Sequence, residues 1–213
     1  MTVKSSLTLS QKLKPARRKN CNVCGLYLNQ APVFDHFIDS VSPQVFWVGL
    51  SAVRFDVDDE MLPLSAETRS GALIERIEIP LRRNIKFYKT NLVKCLPLRG
   101  DKIRYPLRKE MEKCCPNFDE ELAIFQPSVV FLLGKQVASF VLKKLSNQEF
   151  TLSKDFQYQT FSVAGITYIP VHHPSYILVY RRKYIDKYIQ GIRHLCMSIL
   201  EKERSLLANN QYQ

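Results

Sequence analysis

Residues 128–145 read SVVFLLGKQVASFVLKKL. The first part, "SVVFLL" (128–133), is a short apolar run of the kind that forms a fully buried strand. Gly134 punctuates it, and a helical pattern follows over 135–145. A buried strand passing through a glycine into a helix is the unit of an α/β fold. Three more apolar runs match it: "VFWVGL" (45–50), "KFYKTNLV" (86–93) and "ITYIPV" (166–171). Helical patterns cover about 66–78, 107–124 and 182–207. In the last, Ile185, Tyr188, Ile189, Ile192, Leu195, Cys196 and Ile199 form one apolar stripe, which is core packing. Strands alternating with helices predict a mainly parallel sheet covered on both faces. Such folds place their sites beyond the carboxyl ends of the strands. That singles out "SAVRFDVDDE" (51–60), "KCLPLRG" (94–100), "GKQVA" (134–138) and "HHPSYILVYRR" (172–182).

The chain has 213 residues, 46% of them hydrophobic, enough for one compact α/β domain. The expected organisation is a basic arm over 1–20, one domain over 21–207 and a short tail over 208–213. The arm carries six Lys and Arg and no acid. Lys and Arg outnumber Asp and Glu by 31 to 20, a net charge of +11. That surplus points to a polyanion, first of all a nucleic acid. No apolar run is long enough to span a bilayer, and the N-terminus lacks a hydrophobic signal core. An intracellular, cytoplasmic protein with no membrane association is expected, and a monomer by default.

Six cysteines in a reducing compartment argue for metal binding, redox chemistry or burial rather than disulfides. "CNVC" places Cys21 and Cys24 in a C-x-x-C hook, which can grip one metal centre from a single turn. Cys95 ends "TNLVKC", and Cys114 and Cys115 follow in "EKCCP". Four such ligands suit zinc or an iron–sulfur cluster. A zinc ribbon usually has a second close pair, which Cys95 and Cys114 do not supply. Cys196 falls on the apolar stripe and reads as buried.

Six segments in order resemble the iron–sulfur branch of the uracil-DNA glycosylase superfamily, its family-four and family-five enzymes. They are the "CNVC" hook, "FWVGLSA" (46–52), "KTNLVKCLP" (89–97), "EMEKCCP" (110–116), "VVFLLGKQVA" (129–138) and "HHPSYIL" (172–178). The resemblance spans residues 21 to about 195. It implies a three-layer α/β/α fold around a four-stranded, mainly parallel sheet. It implies a [4Fe–4S] cluster on Cys21, Cys24, Cys95 and Cys114, holding the N-terminal hook against loops near DNA. It also implies hydrolysis of a base–sugar bond, leaving an abasic site.

Breaking an N-glycosidic bond builds positive charge on the sugar and negative charge on the departing base. Catalysis needs donors aimed at the base oxygen and a positioned water near the sugar. The base must first leave the stack and enter a pocket. By resemblance, His173 is the neutral imidazole that donates to the pyrimidine O2, and His172 supports it. Asn91 is the base-reading amide, able to donate and accept together. Pro174, Ser175 and Tyr176 are expected to form a phosphate-contacting turn. Ile177 or Leu178 is the candidate wedge into the vacated stack. Tyr180, Arg181, Arg182 and Lys183 are the candidate backbone grip.

Two segments depart from the family pattern. The first strand ends in "GLSA" rather than a "G-E-x-P-G" type motif, so Leu50 and Ser51 replace the water-organising groups, and Leu50 and Ala52 are expected to line the substrate pocket with Asn91 and Leu64. Ser51 and Asp56 are the replacement candidates, with Asp58, Asp59 and Glu60 close by. In "PLSAETRSGAL" (63–73), Leu64 stands in place of the ring that stacks on the base. A wider pocket follows, suited to uracil or to a bulkier pyrimidine such as hydroxymethylated or glucosylated cytosine of phage DNA. The competing readings are a DNA-binding member without catalysis and a zinc-stabilised nucleic-acid module.

Overall fold

The computed structural model describes residues 21–35, 42–55 and 62–210. The basic arm over 1–20 and Asp56, Asp58, Asp59 and Glu60 therefore lie outside the described residues. Strand β1 is Val45–Ser51, helix α1 Arg69–Glu78, β2 Phe87–Val93, β3 Leu98–Arg99, β4 Lys102–Ile103 and α2 Arg108–Phe125. Then come β5 Val129–Leu133, α3 Lys135–Leu145, β6 Phe161–Val163, β7 Ile166–Val171, α4 Pro174–Tyr180 and α5 Ile185–Asn210. The four expected strands form the parallel centre of one sheet, in the order β2-β1-β5-β7. A short fifth strand, β6, joins antiparallel at the β7 edge. The β3 and β4 strands make a separate hairpin.

Successive side chains of a strand face opposite sides of the sheet. In β1, Val45 and Trp47 enter one core with Leu73, Ile74 and Ile77 of α1 and Tyr188 and Ile192 of α5. Phe46 and Val48 enter the other with Phe118 and Phe125 of α2 and Val137, Val141 and Leu142 of α3. Both faces are thus covered, which is why β1 reads as a continuous apolar run rather than an alternating one. Each such buried side chain contributes about 1.5–3 kcal/mol. Trp47 is wholly buried and stacks on Phe131 with ring centroids 4.6 Å apart.

Capping sets the helix starts. Thr68 caps α1 by accepting from the Gly71 N–H at 3.0 Å, so the helix begins three residues later than its apolar pattern suggested. Helix α5 begins at Ile185 because Arg182–Tyr184 form a 3₁₀ turn, and it continues through Asn210, past the expected domain end at 207. The stretch expected to be a turn at Pro174–Tyr176 is the start of helix α4. Pro174 takes its first position, where the missing N–H costs nothing.

The chain leaves β1 for β2 on one side, then returns past β1 to build β5 and β7 on the other. The order therefore reverses beside β1 and β5. A crevice at their carboxyl ends is the expected ligand position for such a sheet.

Candidate active site

A cavity of about 1220 Å³ opens there. Its walls come from the ends of β1 (Gly49, Leu50, Ser51, Ala52), β2 (Asn91) and β5 (Leu133, Gly134), and from the β7–α4 junction (His172, His173, Ser175, Tyr176). Leu64 closes one side, and Tyr180 stands at the end of α4. One cavity thus gathers Asn91, His173, Ser51, Leu50, Ala52 and Leu64, residues spread over more than 120 positions of sequence.

His173 is the N-cap of α4. Its Nδ1 accepts from the Ser175 backbone N–H at 3.1 Å and lies 2.8 Å from the Ser175 hydroxyl. A backbone N–H can only donate, so Nδ1 carries no proton and the neutral ring holds its hydrogen on Nε2. Burial lowers the His173 pKa to about 4, which keeps the ring neutral at physiological pH. The result is a half-buried imidazole with a fixed Nε2–H donor. Gly134 makes room for it: a Cβ there would meet His173 Cβ at 3.2 Å, and its φ of +89° suits glycine.

His172 faces a different environment. Its Nδ1 is 2.9 Å from the Tyr158 hydroxyl, and its ring stacks on Tyr176 with centroids 5.1 Å apart. Burial, and secondarily the nearby Arg181, lower its pKa. The Tyr188 hydroxyl donates to the His172 carbonyl at 2.9 Å. Tyr158 thus pins the His172 ring, and Tyr188 the backbone that carries both histidines. Neither was singled out as a site residue, and no local signal separates them from ordinary core tyrosines.

Asn91 pairs in register with Gly49 across the β1–β2 ladder. Its side chain is 3% exposed, yet it makes no hydrogen bond among the described residues. A buried amide without a protein partner is costly unless something else satisfies it. It lines the cavity and is available to a ligand. Leu64 takes a left-handed backbone (φ 52°), uncommon for a branched residue, and packs against the same glycine. No Asp or Glu lines the cavity among the described residues. Phe55 and Leu62, which flank the segment holding Asp56, both do.

Helix α4 sorts its own residues. Ile177 is fully buried in the α1–α5 core, so it supports the helix and cannot act as the wedge expected of it. Leu178 is half-buried against that core. The exposed positions are Ser175, Tyr176, Val179 and Tyr180. Arg181 is also committed inward: it donates to the Lys154 carbonyl at 3.0 Å and lies over Tyr184 at 4.6 Å. Arg182 and Lys183 remain exposed.

The cysteines fall into two groups. Cys95 and Cys114 are buried in a small cluster with Leu26 and Val93, against which Cys24 packs. Burial first, then the proximity of Cys114, Cys24 and Cys21, pushes the Cys95 thiol up to about 12. The Cys114 thiol is raised as well, by burial first and then by Cys24 and Cys21, so a cation would be needed to hold Cys95 and Cys114 as thiolates. Cys114 Sγ accepts from the Lys94 N–H at 3.3 Å and from the Asn117 amide at 3.8 Å, the donors a bound thiolate uses. This set fits a metal centre, although among the described residues no three His, Cys, Asp or Glu side chains stand in single-ion geometry. Cys115 is separate: it accepts from Lys144 at 3.2 Å on the α2–α3 side. Cys196 is buried in the α1–α5 core.

A family model, the uracil DNA glycosylase superfamily, matches residues 25–193. The type-4 uracil-DNA glycosylase of Archaeoglobus fulgidus is 31% identical over 125 residues, 55% of this chain and 60% of that protein. The type-4 uracil-DNA glycosylase of Thermotoga maritima is 25% identical over 193 residues, 90% of this chain and 91% of that protein. The match therefore spans less than two thirds of the first relative and nearly all of the second. Among solved structures, wild-type SMUG2 of Pedobacter heparinus aligns with a TM-score of 0.45 and 15% identity, covering 72% of this chain and 76% of that one. With a family match running from Gly25, just past the cysteine hook, through the histidine pair into the last helix, the chain belongs to the uracil DNA glycosylase superfamily.

Proposed function

We propose that this protein is a DNA glycosylase that draws a pyrimidine into the cavity and hydrolyses its N-glycosidic bond, leaving an abasic site. The observation that carries this reading is the pairing of a fixed His173 Nε2–H with an unpartnered Asn91 amide on one cavity. Asn91 reads the edge of the base. His173 donates to the base O2 as negative charge develops there, a contact that strengthens towards the transition state. Ser51 is exposed to the cavity at the end of β1 and serves to position water. Asp56 falls in the sequence between Phe55 and Leu62, which line the cavity, and is the first acid to test for the same task.

Cys21, Cys24, Cys95 and Cys114 would hold a [4Fe–4S] cluster, or less well a zinc ion. Bound there, the group supplies a structural cross-link. It ties the hook to β2, four residues beyond Asn91, and to α2. The chain's excess of positive charge supports DNA as the partner. The same reading puts it in the cytoplasm as a monomer.

Leu64 in place of a ring, with Thr68, Arg69 and Ser70 on the wall, supports a base bulkier than uracil, including a modified cytosine. A second reading, DNA binding without hydrolysis, draws on the lack of a carboxylate among the described cavity residues. Abasic-site formation on DNAs carrying uracil, hydroxymethylcytosine or its glucoside separates them, with His173→Ala as the control. Release from any one that depends on His173 supports the glycosylase. Tight binding with no release from all three replaces it with the binding protein.

A further inference from the structure

Four tyrosines are exposed among the described residues: Tyr27, Tyr105, Tyr176 and Tyr180. Three of them line the one cavity. Tyr176 and Tyr180 belong to α4 and form a ladder with His172, ring to ring at 5.1 and 5.5 Å. Tyr105 comes from elsewhere, the segment between the β3–β4 hairpin and α2, and is 70% exposed.

A single exposed tyrosine is ordinary; what sets this one apart is its place on the cavity wall. The backbone beneath it is held firmly. Arg104 forks onto Glu110 at 2.8 and 2.6 Å and donates to the carbonyls of Leu98 (3.0 Å) and Tyr105 itself (2.9 Å). Glu110 also accepts from the Leu107 N–H at 2.7 Å, tying this knot to the start of α2. Arg54, from the loop after β1, donates to the Asp101 carbonyl and braces the hairpin turn. Tyr105 is therefore an exposed ring on a braced backbone at a cavity rim, with cationic Arg99 and Lys102 exposed on the neighbouring hairpin. A tyrosine has only two side-chain torsions to fix on contact, and each base has a face to stack on it.

We infer that Tyr105 is a base-stacking platform for the nucleotide next to the extruded one. The hairpin is then a second DNA-contacting arm, distinct from α4. This rests on the proposed action on DNA, and it adds a residue that reads the strand outside the base pocket. Stacking holds the neighbouring nucleotide in line while its partner turns into the cavity. It predicts a preference for large purine neighbours, which stack best.

The test is binding, without chemistry. A single-stranded oligonucleotide carries a stable abasic analogue, with 2-aminopurine at the position on either side. Tyr105→Ala should weaken binding about 5- to 150-fold. It should restore 2-aminopurine fluorescence at one flank only and leave the salt slope and melting temperature unchanged. Tyr105→Trp should bind as the parent does. Parent-like binding by Tyr105→Ala overturns the proposal, and so does an equal loss in Tyr105→Trp. If the parent releases no base from any DNA but Tyr105→Ala still loses binding and quenching, the glycosylase reading fails and this one stands. If bases are released normally and Tyr105→Ala binds unchanged, this proposal fails alone.

Discussion

Gly49 lies directly beneath the Asn91 carboxamide: a Cβ at position 49 would meet Asn91 Oδ1 at 2.3 Å and Leu64 Cδ2 at 3.2 Å. The contact follows from the β1–β2 register, which sets these two residues opposite each other. Gly49→Ala must push the amide out of place, because the strand backbone around it is buried and hydrogen-bonded. Misplacement of about 1 Å costs on the order of 10²-fold in rate. Base release by Gly49→Ala should fall by about that factor while the fold persists by circular dichroism. Undiminished release would remove Asn91 from the proposed role.

His173 sets a pH signature. With its pKa lowered to about 4 by burial, it stays neutral through the range where an ordinary histidine titrates. Its ring should keep the Nε2–H tautomer from pH 8 down to about pH 5 by NMR, with no limb near 6.5 in the rate profile from this residue. The stability consequence has a definite sign. Between about pH 4 and 6.5 the unfolded chain binds the proton and the folded chain does not. The His173 contribution is therefore fully present above 6.5 and is lost as pH falls towards 4. His172, also lowered by burial, adds in the same direction. His173→Ala should lose about 10²–10³-fold in rate and flatten its share of the stability change.

The sequence made some of this plain and hid the rest for physical reasons. The four central strands were legible because burial on both faces leaves them continuously apolar. Asn91, Cys95 and His173 were singled out because each sits in a short motif within two residues of the end of such a strand, Val93 or Val171. Helix α4 was not: seven residues hold too few turns to show a period, and Pro174 suggested a turn. Once it is a helix, Pro174 and Ile177, three apart, face inward together. Tyr176, Val179 and Tyr180 face out. The β3–β4 hairpin has two-residue strands, too short for alternation, and nothing local marks Tyr105 beyond it. Tyr158 and Tyr188 brace the histidine pair from 14 and 16 residues away, a relation only the fold creates.

Lys94 and Glu121 form an ion pair at 2.7 Å with both side chains 1% exposed. Tyr88 and Thr90 donate to the same carboxylate at 3.1 and 2.9 Å, so its lone pairs are well occupied. Removing one partner leaves a buried charge with no compensation, which costs about 3–5 kcal/mol. Glu121→Leu should lose that much in urea unfolding. Lys94→Met combined with Glu121→Gln removes both charges, leaving the amide oxygen to accept from one hydroxyl and the amide NH2 to donate to the other. The double variant should be more stable than Glu121→Leu alone. The opposite order would mean that the pair stabilises the fold by net attraction.

Lys94 also links this pair to the cysteines, since its N–H donates to Cys114 Sγ. Cys114 and Cys115 are sequence neighbours with opposite partners, one facing Cys95 and the hook, the other facing Lys144 and Asp119. Their variants should therefore part company. Cys95→Ser or Cys114→Ser should purify colourless, with iron well below the roughly four atoms per chain of a full cluster. Cys115→Ser and Cys196→Ser should keep both colour and iron. Residues 29–35 are tied to the sheet end by Asn29 Nδ2 to the Leu96 carbonyl, Val33 N–H to the Lys94 carbonyl and Lys89 N–H to Asp35, whereas residues 21–28 make no such hydrogen bond among the described residues. Loss of the group should therefore expose residues 21–28 to proteolysis before the sheet unfolds. Zinc in place of iron in the parent, with the same ranking of variants, would keep the four ligands and change the group they hold. Equal loss in Cys115→Ser and Cys114→Ser would break the ligand assignment.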